Sequence, residues 1–246
     1  MKKNVEKTYG SAMKGLMFAV NPLKKKLLKT HCTVHKFINI QAIEILENEG
    51  YSDACNFYKE YIKNLNEGVT WADQDFKSSN HFYHYIKGKG LYGFSDALTE
   101  CIKYYGKAER FLEEGQYEKA LFFLGAACHL IQDSTVPQHV NNKLLKSHRQ
   151  FESWIISRLL SDYSFGADAG IIRYNQLDEY IKNNALLANS TYLKYMNIED
   201  RNIRYENISR VIVKQAQKST AGVLLDFYES ILKNNKNISN SEKILP

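Results

Sequence analysis

The sequence predicts an all-α protein, and three observations carry that expectation. The chain has only 13 glycines and three prolines in 246 residues, about half the usual share. Apolar residues recur at helical spacing through most of its length. β-Branched residues never dominate a run with period two. The same scarcity of turn residues argues against a β-sandwich, a turn-rich barrel, a collagen and a disordered chain. With 44% hydrophobic and 24% charged residues the chain can bury a sizeable core.

The elements follow in order. Residues 32–49 carry Val34, Phe37, Ile38, Ala42, Ile45 and Leu46 as one helical stripe, and residues 52–66 repeat it with Ala54, Phe57, Tyr58, Tyr61 and Leu65. Residues 68–93 break the pattern with Gly68, Gly88, Gly90 and Gly93, and read as a long loop. Ser95–Leu112 is helical and closed by Gly115. Tyr117–Gln132 is so apolar (Leu121, Phe122, Phe123, Leu124, Ala126, Ala127) that it reads as a central buried helix, stopped by Pro137. Residues 142–162, 176–188 and 205–232 complete a set of roughly six to eight helices.

No repeat or linker divides this set. Residues 30–232 are expected to form one helical domain, between a basic segment at 1–29 and a polar, frayed tail at 233–246. No run of about 18 apolar residues marks a membrane-spanning helix. The stretch Gly15–Val20 is short and preceded by Lys14, a poor signal peptide, so the chain is expected to begin near Met1 and, by sequence, to be cytoplasmic. Cys32, Cys55, Cys101 and Cys128 are too few and scattered for a disulfide framework. The net charge of +6 favours anionic partners without choosing among phosphate, nucleic acid and membrane.

The histidines are more informative. They stand at 31, 35, 81, 84, 129, 139 and 148, and none follows. Residues four apart share a helix face, so His31/His35, His129/Asp133 and His148/Glu152 are paired, and His139 follows just past Pro137. The segment 71–84 adds Asp73, Asp75, His81 and His84. A single such pair is more often a surface charge pair, and His84 a capped or core histidine. His129 differs: it lies in a very apolar helix, where an uncompensated imidazole and aspartate are costly to bury. Histidines and carboxylates on facing helices are how bundles hold several metals, and zinc takes such ligands.

Residues 119–142, KALFFLGAACHLIQDSTVPQHVNN, followed by HRQFE at 148–152, resemble the bacterial zinc-dependent phospholipases C, the group of the gas-gangrene alpha-toxin. The family pattern places a His, an Asp, a Pro and a second His at these spacings and then an H-x-x-x-E. Residues 35–48 look like the family's first helix, 71–83 like its Asp-then-His loop, and 216–231 like its closing helix with QKxTAG. The resemblance covers about 35–232, and the toxins' additional β-sandwich domain is expected to be absent.

The resemblance implies an all-α multi-helix bundle with three zinc ions per chain. Asp73, His81, His129 and Asp133 would hold one. Asp133 would bridge to a second, also bound by His35. His139, His148 and Glu152 would hold the third. Asp73 would also be a candidate general base. The implied reaction is attack of a zinc-activated water on a phospholipid, giving diacylglycerol and a phosphorylated head group, with phospholipid and a transient membrane surface as partners.

The chain departs from the pattern at two places. Secreted members use an N-terminal Trp as a zinc ligand, whereas the first Trp here is Trp71; His31 either takes that place or, with Thr30, merely leads into the helix. Gln74 and Ser78 stand where choline-binding members carry aromatics, so choline specificity does not carry over. Phe82, Tyr83 and Tyr92 either substitute for them or simply pack. Cys32 and Cys128 adjoin histidines but point about 100° away on a helix, which favours buried structural thiols over ligands. The run Lys24–Lys26 with Lys29 is either a contact for anionic lipid or a solvated end.

Two other functions compete. Fungal zinc nucleases of single-stranded nucleic acid share this architecture and site, although the segment Gln132–His139 stands nearer the lipase form. A non-enzymatic metal-binding protein of the same fold is the third reading.

Overall fold

In the computed structural model the described residues are 32–74, 79–91, 94–141, 146–161 and 165–242. Among them the chain forms nine helices: α1 (32–48), α2 (Ser52–Glu60), α3 (Ile62–Ala72), α4 (Ala97–Glu113), α5 (Tyr117–Asp133), α6 (Pro137–Val140), α7 (Lys146–Ser161), α8 (Leu177–Tyr195) and α9 (Arg201–Glu242). No strand occurs among the described residues, and the fold is all-α as expected. No described helix is long and apolar enough to cross a membrane. The basic segment 1–29 lies outside the described residues.

The apolar content of α5 explains its position. Twelve of its residues are buried, from Ala120 to Asp133, and it packs against α3, α4, α8 and α9. The largest cluster of buried apolar residues forms around it and includes Leu46, Tyr58, Leu65, Cys101, Leu121, Leu124, Leu130 and Phe227. A smaller cluster joins Phe151, Ile155 and Leu159 of α7 to Tyr205, Ile208 and Ile212 of α9, with Val34 and Phe37 of α1 against it. Helix α1 therefore touches both clusters.

Helix boundaries depart from the periodicity in specific ways. The stripe at 52–66 is two helices, because the backbone breaks at Tyr61 (φ −101°, ψ 13°). Both halves keep their apolar residues inward, so the pattern runs on across the break. Helix α4 begins where Asp96 accepts from Thr99 N at 2.9 Å, an N-cap. It closes at Gly115, whose φ of +70° suits a residue without Cβ. Helix α5 ends at Asp133, and Pro137 does not stop it but opens α6 at its first position, where a missing N–H costs nothing. Helix α8 runs to Tyr195 and α9 to Glu242, past the boundaries at 188 and 232.

The expected loop 68–93 also begins too early. Gly68 lies inside α3, and its role is contact rather than chain reversal. A Cβ there would stand 1.8 Å from Phe122 O. Gly125 is the reciprocal site, where a Cβ would stand 2.0 Å from Leu65 O. Helices α3 and α5 thus meet backbone to backbone through two glycines. Gly125→Ala is expected to destabilise the fold by about 3 kcal/mol or more, as overpacking against backbone does. Gly106→Ala, with open space around it, should stabilise by about 0.5–1 kcal/mol. Urea midpoints of the two variants measure the contrast, and equal midpoints would refute the close approach.

The polar residues of the closing helix α9 have defined tasks. Gln217 accepts from Ala167 N at 2.7 Å and donates to Phe165 O at 2.9 Å, both buried contacts. Asn184 of α8 donates to Ile131 O and to Ser219 Oγ, each at 3.1 Å. These bonds tie α8, α9 and residues 165–167 to the C-terminal turn of α5. The four cysteines are free and buried, as the absence of a disulfide framework required.

Candidate metal centre

The C-terminal turn of α5 carries the centre. His129 and Asp133, four residues apart, turn their side chains the same way, and His129 Nε2 lies 3.2 Å from Asp133 Oδ2. Three further segments bring imidazoles to the same carboxylate. His81, from the segment after α3, places Nδ1 2.8 Å from Asp133 Oδ2. His139 of α6 places Nδ1 3.4 Å from it. His35 of α1 places Nε2 3.4 Å from Oδ1. The rings of His35 and His129 stand 4.1 Å apart, and those of His81 and His129 4.6 Å.

A second group lies beside the first. His139 Nε2 is 2.7 Å from His148 Nε2, and His148 Nε2 is 3.0 Å from Glu152 Oε1. His148 and Glu152 share one face of α7. Backbone bonds from Tyr83 N to His139 O and from Tyr85 N to Val140 O, each 3.2 Å, join the His81 segment to α6.

Hydrogen bonds on the far sides of the rings set which nitrogens are bare. His81 Nε2 faces only a carbonyl, Ala72 O, at 3.0 Å, and a carbonyl accepts but cannot donate. That nitrogen therefore carries a proton, and Nδ1, 2.8 Å from Asp133 Oδ2, stands at the length of a ring N–H donating to a carboxylate. His139 Nδ1 faces His81 O at 3.3 Å and the Asp133 carboxylate, both acceptors. Its bare nitrogen is Nε2, toward His148 and Glu152.

The electrostatics follow from burial and crowding. Burial pushes His129 down to about 3, and the neighbouring His35 adds to the shift against the pull of Asp133. Burial likewise lowers His139 to about 4. Burial also acts to lower His81, but the hydrogen bond and charge of Asp133 outweigh it and raise that ring above its ordinary value. Burial works against ionisation of Asp133, yet His139, His129 and the bonds from His129 and His81 hold it well below the usual carboxylate range. Asp133 therefore keeps a full negative charge beside His129 and His139, which burial holds neutral, the form in which imidazole binds metals.

The residues fit a metal. Four overlapping groups can each hold a cation: His35/His129/Asp133, Asp73/His81/His129, His81/Asp133/His139 and His139/His148/Glu152. His129 Nε2, which faces Asp133 Oδ2 and His81 Nδ1 at 3.2 Å each, is the nitrogen placed to meet a cation. An all-imidazole and carboxylate donor set suits zinc.

A family model described as zinc dependent phospholipase C matches residues 34–202. The chain belongs to this family. It is similar to the phospholipase C of Clostridium novyi, at 24% identity over 81% of this chain and 59% of the relative. It is also similar to the phospholipase C of Listeria monocytogenes serovar 1/2a, at 25% identity over 70% of this chain and 65% of the relative. The chain spans about three fifths of the length of these relatives. The alpha toxin of Clostridium absonum has the same fold, with a TM-score of 0.70 at 20% identity over 80% of this chain and 63% of that one. The Clostridium perfringens alpha-toxin from avian strain SWCP gives a TM-score of 0.68 at the same identity and coverage.

In this zinc-dependent phospholipase C family member, eight of the nine residues singled out from sequence enter the four groups: His35, Asp73, His81, His129, Asp133, His139, His148 and Glu152. His31 lies outside the described residues, as do Asp75, Ser78 and Tyr92. Asp73 follows α3 as its C-cap, and the Cys32 thiol donates to its Oδ2 at 3.8 Å.

His84 is a turn residue: its Nδ1 accepts from Ile86 N at 3.3 Å and Lys87 N at 3.4 Å. Phe82 is buried and stacks on His139, with centroids 5.0 Å apart and planes at 14°. Its work is to support a ring of the centre, and Tyr83 is buried in the main core. The cysteines beside histidines belong to no metal-capable group among the described residues. Burial pushes the Cys128 thiol up to about 12; burial and then Asp73 push Cys32 to the same value.

Sequence reasoning missed Gln132, which is buried and bonded to His35. The available signal was an amide following the apolar stretch Leu121–Ile131 of a buried helix, which must find partners when buried.

Proposed function

We propose that this chain is a phospholipase C that cleaves the glycerol-side phosphodiester of phospholipids, releasing diacylglycerol and a phosphorylated head group. The observation that carries the reading is one ionised carboxylate, Asp133, ringed by four imidazoles in a chain of the zinc-dependent phospholipase C family.

We assign three zinc ions. Asp73, His81, His129 and Asp133 would hold one, Asp133 and His35 would hold a second, for which His31 is proposed as a further ligand, and His139, His148 and Glu152 would hold the third. Zinc in such a setting acts as a Lewis acid toward phosphoryl oxygens and makes water acidic enough to react near neutral pH.

The chain's own groups do the rest. Buried, tautomer-fixed rings keep their bare nitrogens aimed inward without reorganisation. Asp73 would take the proton as water adds to phosphorus, the bond from phosphorus to the glycerol oxygen would break, and that oxygen would take up the same proton and leave as diacylglycerol.

The zinc-loaded chain should release diacylglycerol from phosphatidylcholine and phosphatidylglycerol vesicles and leave single-stranded DNA intact. DNA cleavage without diacylglycerol would replace this reading with the nuclease. Inertness toward both, with zinc bound, would favour a non-catalytic metal-binding role.

A further inference from the structure

Gln132 stands one residue before Asp133 on α5 and is 1% exposed. Its Oε1 lies 2.8 Å from His35 Nδ1. Its Nε2 lies 2.8 Å from Asn39 Oδ1 and 3.2 Å from Thr220 Oγ1. Asn39, itself fully buried, donates from Nδ2 to Asn66 Oδ1 at 3.0 Å. The amides therefore run in one direction. Asn39 gives its nitrogen to Asn66 on α3, which turns its oxygen to Gln132. Gln132 meets that oxygen with its nitrogen, which turns its own oxygen to His35.

An amide oxygen only accepts, so the ring nitrogen facing it carries the proton, and a neutral imidazole has one N–H. His35 Nε2 is then bare. The distances agree with this. Nδ1 to Oε1 is an ordinary hydrogen-bond length, whereas Nε2 stands 3.4 Å from Asp133 Oδ1, long for a ring N–H donating to a carboxylate, which closes to about 2.7–2.9 Å. A bare nitrogen opposite a carboxylate oxygen is a pair of acceptors that a cation bridges.

We infer that Gln132 is a positioning residue: by accepting from His35 Nδ1–H it fixes the tautomer that turns the bare Nε2 toward Asp133 and readies His35 to bind zinc. The inference rests on the zinc reading above. Metal-binding histidines generally donate their second N–H to a carbonyl or carboxylate. Here the acceptor is a side-chain amide, held between Asn39 of α1 and Thr220 of α9. Through it the closing helix reaches the metal centre without contributing a ligand.

Long-range proton–nitrogen NMR correlation on the full chain, histidine-labelled and zinc-free above neutral pH, reads the tautomer directly. His35 should be protonated at Nδ1 and bare at Nε2. Gln132→Leu removes the acceptor; it should mix the tautomers and weaken zinc binding about 10–100-fold, read by chelator competition. Gln132→Glu keeps an oxygen at Nδ1 and should retain both the tautomer and zinc binding at least as tight as the parent chain's. A parent chain protonated at Nε2, or a Gln132→Leu variant with unchanged zinc affinity, would overturn the inference. If Gln132→Leu does not fold, the parent chain and Gln132→Glu still decide it. A chain that shows the expected tautomer yet releases no diacylglycerol contradicts the proposed activity and leaves the positioning role standing.

Discussion

Asp133→Asn is expected to lower phospholipid turnover by about 10³-fold or more while leaving the zinc-free chain folded. Asp133 Oδ2 lies within 3.4 Å of nitrogens from His81, His129 and His139, and Oδ1 faces His35. It is the carboxylate common to two of the metal-capable groups. Its neighbours hold it ionised despite burial, so it brings a full negative charge to the middle of the cluster. Asparagine has the same shape and can donate to one ring and accept from another, so the hydrogen bonding survives in part. What it cannot supply is charge. Loss of metal-centred charge stabilisation of several kcal/mol, at about 1.4 kcal/mol per factor of ten, gives the expected loss. Zinc content should fall by at least one ion per chain and the far-ultraviolet circular dichroism should not change. Turnover near that of the parent chain would contradict the role of Asp133.

Removing zinc should lower the melting temperature by about 10 °C or more. A ligand that binds only the folded state stabilises it by about 4 kcal/mol at a thousand times its dissociation constant. A chain of this size moves about 2–4 °C per kcal/mol. The site makes the effect large. Three of its histidines, His81, His129 and His139, are buried, and the groups draw on α1, α5, α6 and α7 together. Without a cation, these rings face one another across 2.7 Å and 3.2 Å contacts that only shared protons relieve. Scanning calorimetry before and after chelation measures the shift. Zinc should restore it and magnesium should not, because magnesium prefers oxygen ligands. Coincident melting curves would show that the histidines are satisfied without metal.

The sequence disclosed the helices because each buries one face, and period 3.6 survives whatever the partner is. It misread two places for the same reason. The stripe continues through Tyr61 although the backbone breaks there, and Gly68 looks like a loop residue until Phe122 is seen against it. Both depend on the tertiary neighbour. The cluster around Asp133 was legible because His129 and Asp133 are polar in an apolar helix, a conflict that needs a chemical explanation. Which ring nitrogen faces which carboxylate was not legible, since tautomers follow from carbonyls such as Ala72 O and His81 O brought up by the fold. Gln132 and Thr220 fall in this class as well. The QKxTAG run was noticed through resemblance alone; the structure supplies its tasks, with Gln217 clasping residues 165–167 and Thr220 bracing Gln132.

The central claim is that the histidines and carboxylates of α1, α5, α6, α7 and the His81 segment form one multinuclear zinc centre. Elemental analysis of the purified chain, equilibrated with zinc and freed of loosely bound metal, tests this most directly. Three zinc ions per chain are expected. A value of one or none would contradict the claim.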